Sequence, residues 1–247
     1  MTHDLVILGA GPAGMSAAVT ADELGLKTLL LDEQPQAGGQ IYRNVGTASA
    51  AMGRLLGPDY QAGAHLVARL QRSGVEVMHN TLVWDVSRDL QVTAVREGQT
   101  FQVHAPQLIA ATGAMERPSP VPGWTLPGVM NAGAAQIALK SGGFVPAGRV
   151  ALAGAGPLLL LVACQLVQAG VDVVALVDTT LARQRRAALK HLPAALRAPE
   201  YLYKGAKMLA RLRRAGTARF RNASDLTILG GDRAEGLRFT ARGSPTP

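Results

Sequence analysis

Two glycine triads carry the most chemical information in this chain. Residues 4–14 read Asp-Leu-Val-Ile-Leu-Gly-Ala-Gly-Pro-Ala-Gly, and 149–159 read Arg-Val-Ala-Leu-Ala-Gly-Ala-Gly-Pro-Leu-Leu. In each, an apolar run enters a G-x-G turn that opens a helix. In the first, Gly9 permits the tight turn, Gly11 lets backbone approach a pyrophosphate, and Gly14 lets helix and strand pack closely. Pro12 and Ala13 complete that candidate pyrophosphate turn. The helix N-terminus behind it offers N–H groups and a partial positive charge to phosphate.

The elements needed to position this turn are present. Residues 5–8 suit a buried parallel strand, and 12–24 suit a helix with a small-residue face that Gly25 can cap. A second strand at 27–31 ends in Asp32 and Glu33. Asp32 follows Gly9 by 23 residues, where a carboxylate accepts from ribose hydroxyls. Two later segments belong to the same candidate site. Gly39 and Gln40 lie in a polar, glycine-rich loop, and Thr112 and Gly113 follow an apolar strand at 107–111. A strand ending in Thr-Gly brings bare backbone close to a neighbour.

The second triad is incomplete. Gly154 and Gly156 are followed by Leu159 where a third glycine is expected, so the helix is expected to sit further from its strand. Asp178 ends the next apolar run, 24 residues after Gly154. It is spaced for a ribose 2′-hydroxyl, whereas Arg183, Arg185 and Arg186 are spaced for a 2′-phosphate. NAD, NADP and a fold that has shed its nucleotide all remain open at this point.

Further motifs give a resemblance. Gly-Gly-Gln-Ile-Tyr-Arg at 38–43, Ala-Thr-Gly-Ala-Met-Glu-Arg-Pro at 111–118, Pro-Gly-Trp-Thr-Leu-Pro-Gly-Val-Met at 122–130 and Ala-Gly-Ala-Ala-Gln at 132–136 follow the first triad in order. With them the chain resembles the FAD/NAD(P)-binding pyridine nucleotide-disulfide oxidoreductase superfamily. It is most similar there to the FAD subunits of opine oxidases, hydrogen cyanide synthase and related amino-acid or hydroxyproline dehydrogenases. The resemblance covers nearly the whole chain, and 111–136 is its most specific part.

That resemblance implies a FAD-dependent oxidoreductase, the flavin subunit of an amine or amino-acid dehydrogenase or oxidase of the opine type. Its substrate would be a small amine or amino acid, and its partner another member of a hetero-oligomer. It implies FAD in the first domain, NAD(P) in the second, and a FAD domain split in sequence around the NAD(P)-type insert. A closing strand and helix with a Gly-Asp motif at the flavin ribityl chain has no counterpart here, so the expectation is a truncated chain with an incomplete FAD domain. The rival reading is a non-catalytic remnant or scaffold that docks a partner subunit. No catalytic acid or base is identifiable, because the five histidines are scattered without site-like spacing.

The expected fold is α/β, with two Rossmann-like domains of parallel sheet and small antiparallel β-meanders. The boundaries are 1–118 for FAD, 119–242 for NAD(P), and a loose tail at 243–247. The crossing lies in the Pro- and Gly-rich stretch 120–128. Residues 75–79, 81–86, 92–96 and 101–104 read as a meander, and 220–221, 226–229 and 236–240 as closing strands of the second domain.

Composition narrows the classes. The 247 residues are 48% hydrophobic but only 4% aromatic, so the cores are built from Ala, Leu and Val. Cys164 is the single cysteine and is expected to be a buried apolar residue; one cysteine cannot make a C-x-x-C disulfide reductase, a structural zinc site or an iron–sulfur site, and no metal is expected. The chain carries +8, of which residues 181–221 supply +11, from twelve Lys or Arg against Glu200, and the remainder −3. This basic segment reads as an amphipathic helix, either a solvated face or a surface for an acidic partner subunit or anionic phosphates. No aromatic stacking pattern accompanies it, so nucleic acid is not expected. The apolar run 150–177 is interrupted by its glycine turn, so no transmembrane segment is expected. No secretory signal pattern opens the chain, and a cytoplasmic protein is expected.

Overall fold

The computed structural model describes residues 3–241, and the expected tail at 243–247 lies outside them. The chain divides between Met115 and Glu116 into two compact units.

The first unit opens with β1 (Leu5–Leu8), α1 (Pro12–Glu23) and β2 (Thr28–Leu31). Three helices follow: α2 (Ala50–Leu56), α3 (Pro58–Gln61) and α4 (Gly63–Arg72). Then come β3 (Glu76–Met78), β4 (Thr81–Val86), β5 (Gln91–Arg96), β6 (Gln99–His104) and β7 (Gln107–Ala110). The order β3-β2-β1-β7 makes a wholly parallel sheet, with Ile7 opposite Leu30 and Ile109. Every residue of β1 and β2 is buried. Such unbroken apolar strands require cover on both faces. On one face Val6, Leu8, Leu29 and Leu31 pack with Val92 and Ala105, so the antiparallel β4-β5-β6 sheet supplies that cover. Each such buried Val or Leu side chain contributes about 2 kcal/mol relative to exposure. Helix α1 ends as its sequence requires: Gly25 takes φ +79° and its N–H donates to the Asp22 carbonyl.

One strand belongs elsewhere than its sequence suggests. Residues 76–78 run parallel to β2 rather than pairing with β4. The helices between β2 and β3 form the crossover that a parallel partner requires. Asn80, at φ +52°, separates β3 from β4, and this tight break imitates a hairpin in the sequence.

The second unit contains α5 (Ala132–Gly142), β8 (Arg149–Gly154), α6 (Pro157–Gln168) and β9 (Asp172–Asp178). A helical stretch follows, with α7 (Ala182–Ala188), a 3-10 turn at Leu189–His191, α8 (Leu192–Ala195) and α9 (Pro199–Arg214). It closes with β10 (Ala218–Arg221), β11 (Ala223–Leu229) and β12 (Gly236–Ala241). The parallel order is β10-β9-β8, and β11-β12 is an antiparallel hairpin. Both units are therefore Rossmann-like α/β folds. Helix α6 lies in the core: Val162, Cys164 and Leu166 pack with Leu152, Leu176 and Leu212.

The amphipathic reading of α9 holds only for its second half. Leu212 is buried and Met208 packs on the core, but Leu202 is exposed, as are Tyr201 and Tyr203. No residue of α7 or α8 is buried. Among the described residues, no helix is long and apolar enough to cross a membrane, and no cluster of three or more His, Cys, Asp or Glu is arranged to hold a metal ion.

Candidate functional site

The first glycine turn is held by backbone contacts that side chains would break. Gly9 has φ +98°, and a Cβ there would lie 2.6 Å from the Ala111 carbonyl oxygen. A Cβ on Gly14 would overlap the Gly9 carbonyl oxygen. Gly11 differs. Its φ of −72° suits any residue, and a Cβ would meet only the Gly39 Cα, at 4.0 Å. A side chain at Gly11 would thus sit in ordinary contact with Gly39, and the fold itself does not require glycine there. Pro12 stands in the first turn of α1, where its missing N–H costs little, and Ala13 follows it. No side chain among the described residues caps α1, so its first N–H groups and its dipole are left for a ligand.

Asp32 braces the turn. It is buried, its Oδ2 accepts from the Ala10 N–H, and its Oδ1 accepts from the Gln34 N–H at 2.7 Å. Glu33 is exposed, with Oε1 accepting from Gln34 Nε2 at 3.0 Å. The loop beyond returns to the turn. The Gly38 N–H donates to the Ala10 carbonyl at 2.8 Å, and Gly39, at φ +57°, lies against Gly11. Gln40 is exposed beside it. Arg43 anchors this loop by donating to Gln34 Oε1 at 2.6 Å, while the buried Tyr60 hydroxyl donates to the Arg43 carbonyl at 2.7 Å. Burial pushes the Tyr60 phenol above its usual pKa. Beyond Glu33 a cavity of about 500 Å³ opens, lined by Pro35, Gln36, Thr47, Leu70, Val77 and His79. His79 Nδ1 is buried without a hydrogen-bond partner among the described residues.

The segment after β7 completes the cluster. The Ala111 N–H donates to the Leu8 carbonyl at 2.8 Å, carrying Ala111 beside Gly9. Thr112 and Gly113 follow just past this point at the surface, with Gly113 at φ +76°. The first unit thus brings Gly9, Gly11, Gly14, Asp32, Gly39 and Ala111 together at the carboxyl ends of its parallel strands. This is the edge at which open α/β sheets bind ligands.

The second turn is built more loosely. A Cβ on Gly156 would meet nothing within 4 Å among the described residues, and one on Gly154 would meet only Leu159 Cδ1, at 3.7 Å. Leu159 is buried and fills the place where a third glycine would allow backbone contact. Each Asp178 oxygen accepts one hydrogen bond. Oδ1 accepts from the Thr180 N–H and Oδ2 from Arg185, each at 2.9 Å. Arg219 and Arg221 on β10 also gather there, residues that sequence spacing does not single out. Burial pushes the Arg219 guanidinium below its usual pKa, helped by Arg221 and Arg185 and opposed by Asp178. Arg183 and Arg186 lie on α7 with Arg185.

Comparisons with known proteins agree with this architecture. Residues 3–197 match the family described as pyridine nucleotide-disulphide oxidoreductase, and the chain belongs to that family. It is 42% identical to an opine oxidase subunit of Rhizobium meliloti, across 98% of this chain and 47% of that protein. It is 36% identical to the HcnB subunit of hydrogen cyanide synthase from Pseudomonas protegens, across 88% of this chain and 46% of that protein. The chain spans about half the length of the curated relatives it matches. Among solved structures it resembles the HOCl-induced flavoprotein disulfide reductase RclA from Escherichia coli, with a TM-score of 0.61 at 17% identity, covering 99% of this chain and 54% of that one. The L-proline dehydrogenase from P. horikoshii gives a TM-score of 0.57 at 22% identity, covering 73% of this chain and 36% of that one.

Proposed function

We propose that this chain belongs to the flavin subunit of an amine or amino-acid dehydrogenase or oxidase of the opine type, and that its first unit binds FAD. A glycine at position 11 that the fold does not require, at the N-terminus of α1 that no described side chain caps, carries this reading. A bare backbone at Gly11 would let a pyrophosphate approach the helix N-terminus. Gly9, Gly11, Pro12, Ala13 and Gly14 would hold it. Asp32 would keep the turn in shape while the exposed Glu33 takes the adenosine ribose hydroxyls, and the cavity beyond would receive the adenosine end. Gly39, Gln40, Thr112 and Gly113 would approach the flavin side. Bound FAD supplies the two-electron chemistry, and the protein's part is to bind and orient it. Gly154, Gly156 and Asp178 would serve a second nucleotide, NAD(P).

A small amine or amino acid would be the substrate, as the names of the relatives at 42% and 36% identity suggest. Those relatives are subunits, which favours a hetero-oligomer here. The exposed Leu189, Leu196, Tyr201 and Tyr203 lie among the Lys and Arg of 181–221, and that surface suits an acidic partner subunit better than bare solvent.

The visible absorption spectrum of the purified chain, before and after FAD is added and desalted away, tests the reading. Retained flavin bands that Gly11→Val abolishes, with folding unchanged by circular dichroism, support it. A colourless chain that retains no FAD favours the scaffold reading instead.

A further inference from the structure

The carboxylate that the proposed FAD site turns to the adenosine ribose is held by side chains that reach it from beyond the glycine turn. Glu33 is exposed, and a free glutamate side chain gives up rotamer freedom when it adopts one ligand-binding geometry. Here that freedom is already reduced. Gln34 Nε2 donates to Glu33 Oε1 at 3.0 Å, and Gln34 Oε1 accepts from Arg43 Nη1 at 2.6 Å. The Gln34 main chain is fixed as well, its N–H donating to Asp32 Oδ1 at 2.7 Å.

Arg43 is held in its turn by two helices. From α3 the buried Tyr60 hydroxyl donates to the Arg43 carbonyl at 2.7 Å. At the start of α4 a Cβ on Gly63 would overlap the Tyr42 ring, so bare backbone seats the residue before Arg43. A continuous path therefore runs from α3 through Arg43 and Gln34 to Glu33.

Chemistry fixes the sense of this path. A guanidinium only donates and a carboxylate only accepts. The amide between them must turn its oxygen to Arg43 and its NH2 to Glu33, since a flipped amide would lose both bonds. It also matters that an amide, rather than the guanidinium, meets Glu33. A direct Arg–Glu pair often engages both carboxylate oxygens in strong bonds. The Gln34 NH2 takes a single acceptor position and leaves the charge of Glu33 to attract hydroxyl donors.

We propose that Gln34 and Arg43 are positioning residues that set Glu33 to receive the hydroxyls of an adenosine ribose, and so make the first unit select a ribonucleotide diol. This assignment rests on the reading of Glu33 as the ribose acceptor of a FAD site, and it adds the side chains that orient that carboxylate. A carboxylate held in place before the ligand arrives loses less entropy on binding, so the relay is read in affinity.

Displacement of FAD from the full chain by ADP or by 2′,3′-dideoxy-ADP, followed by flavin fluorescence, tests it. In the parent, ADP should compete about tenfold or more better than the dideoxy analogue, the size of a hydrogen bond to a charged acceptor. Glu33→Gln should narrow that ratio. Gln34→Glu separates the relay from the anchorage of the loop, because its carboxylate still accepts from Arg43 but has no proton to give Glu33. The ratio should fall to about threefold or less, while protease cleavage within 34–47 stays at the parent's rate. Gln34→Met, which adds no charge, should lower the ratio equally and so separates the lost bond from simple repulsion. Arg43→Met should lower it too, with faster cleavage of the loop. A parent that takes up no FAD, or that yields it equally to both competitors, removes the ribose role of Glu33 and the relay with it. A preference that Glu33→Gln loses but both Gln34 variants keep would overturn the relay alone and leave the FAD reading standing.

Discussion

Gly39 lies so close to Gly11 that a Cβ added to it would stand 2.8 Å from the Gly11 Cα. The reverse is not true, since a Cβ on Gly11 clears Gly39 by 4.0 Å. One glycine of the pair is therefore demanded by the fold, and the other is free to be demanded by a ligand.

This asymmetry separates stability from binding. Gly11→Ala should change stability by less than about 1 kcal/mol while removing flavin retention, because only the ligand space is filled. Gly39→Ala should cost about 2 kcal/mol or more, through its left-handed backbone and the close contact together. Thermal unfolding and retained flavin, measured on both variants, check this. Equal loss of stability in the two would refute the division.

Asp32 and Glu33 divide in the same way. Asp32→Asn keeps one acceptor but weakens the hold on the Ala10 and Gln34 N–H groups, at an expected cost of about 1–3 kcal/mol. Glu33→Gln should stay within about 0.5 kcal/mol of the parent in stability and should weaken FAD binding. Denaturant titration and flavin titration of the two variants read these outcomes separately.

The sequence discloses what depends on short spacing and conceals what depends on distant pairing. Gly9, Gly11, Gly14 and Asp32 sit in one β1-α1-β2 unit, and their assembly follows from local rules. The register that sets Arg221 opposite Asp178 joins residues 43 positions apart, and nothing near either one announces it. The strand at 76–78 misleads for a related reason. Gly57, Pro58 and Gly63 split the preceding stretch into three short helices, which hides the crossover that makes β3 parallel. The burial of Asp32 beside an exposed Glu33 is also hidden, because adjacent carboxylates look alike until the turn selects one as its brace.

Cys164 gives a pH-dependent prediction. Burial pushes its thiol above the usual pKa, with nearby Arg211 opposing, and its Sγ donates to the Met208 carbonyl at 3.4 Å. The folded state therefore holds its proton at pH values where the unfolded chain loses it. This contribution to stability is complete below the unfolded thiol pKa and falls away as pH rises from there through the folded value. Cys164→Ala should flatten the alkaline side of the stability profile. A disulfide reagent should label Cys164 slowly in the native chain and rapidly after unfolding. Fast native labelling near neutral pH would contradict the buried thiol.

Gly123 offers a test of how the stretch after Met115 is anchored. It has φ +82°, and any Cβ would overlap the Ile228 carbonyl oxygen. Next to it the Pro122 carbonyl accepts from the Ile228 N–H at 2.8 Å, and further on the Pro127 carbonyl accepts from the Ala234 N–H at 2.9 Å. The Pro- and Gly-rich segment is thus pinned to the β11-β12 hairpin inside the second unit. Gly123→Val combines a β-branched residue at positive φ with a backbone overlap, so it should release the segment at a cost of about 2–3 kcal/mol. Limited proteolysis should then cut within 119–130 at a rate well above the parent's, while a Trp124→Phe control, whose backbone is undisturbed, should not. Equal cleavage in Gly123→Val and the parent would mean that the hydrogen bonds at Pro122 and Pro127 suffice to hold the segment without the glycine.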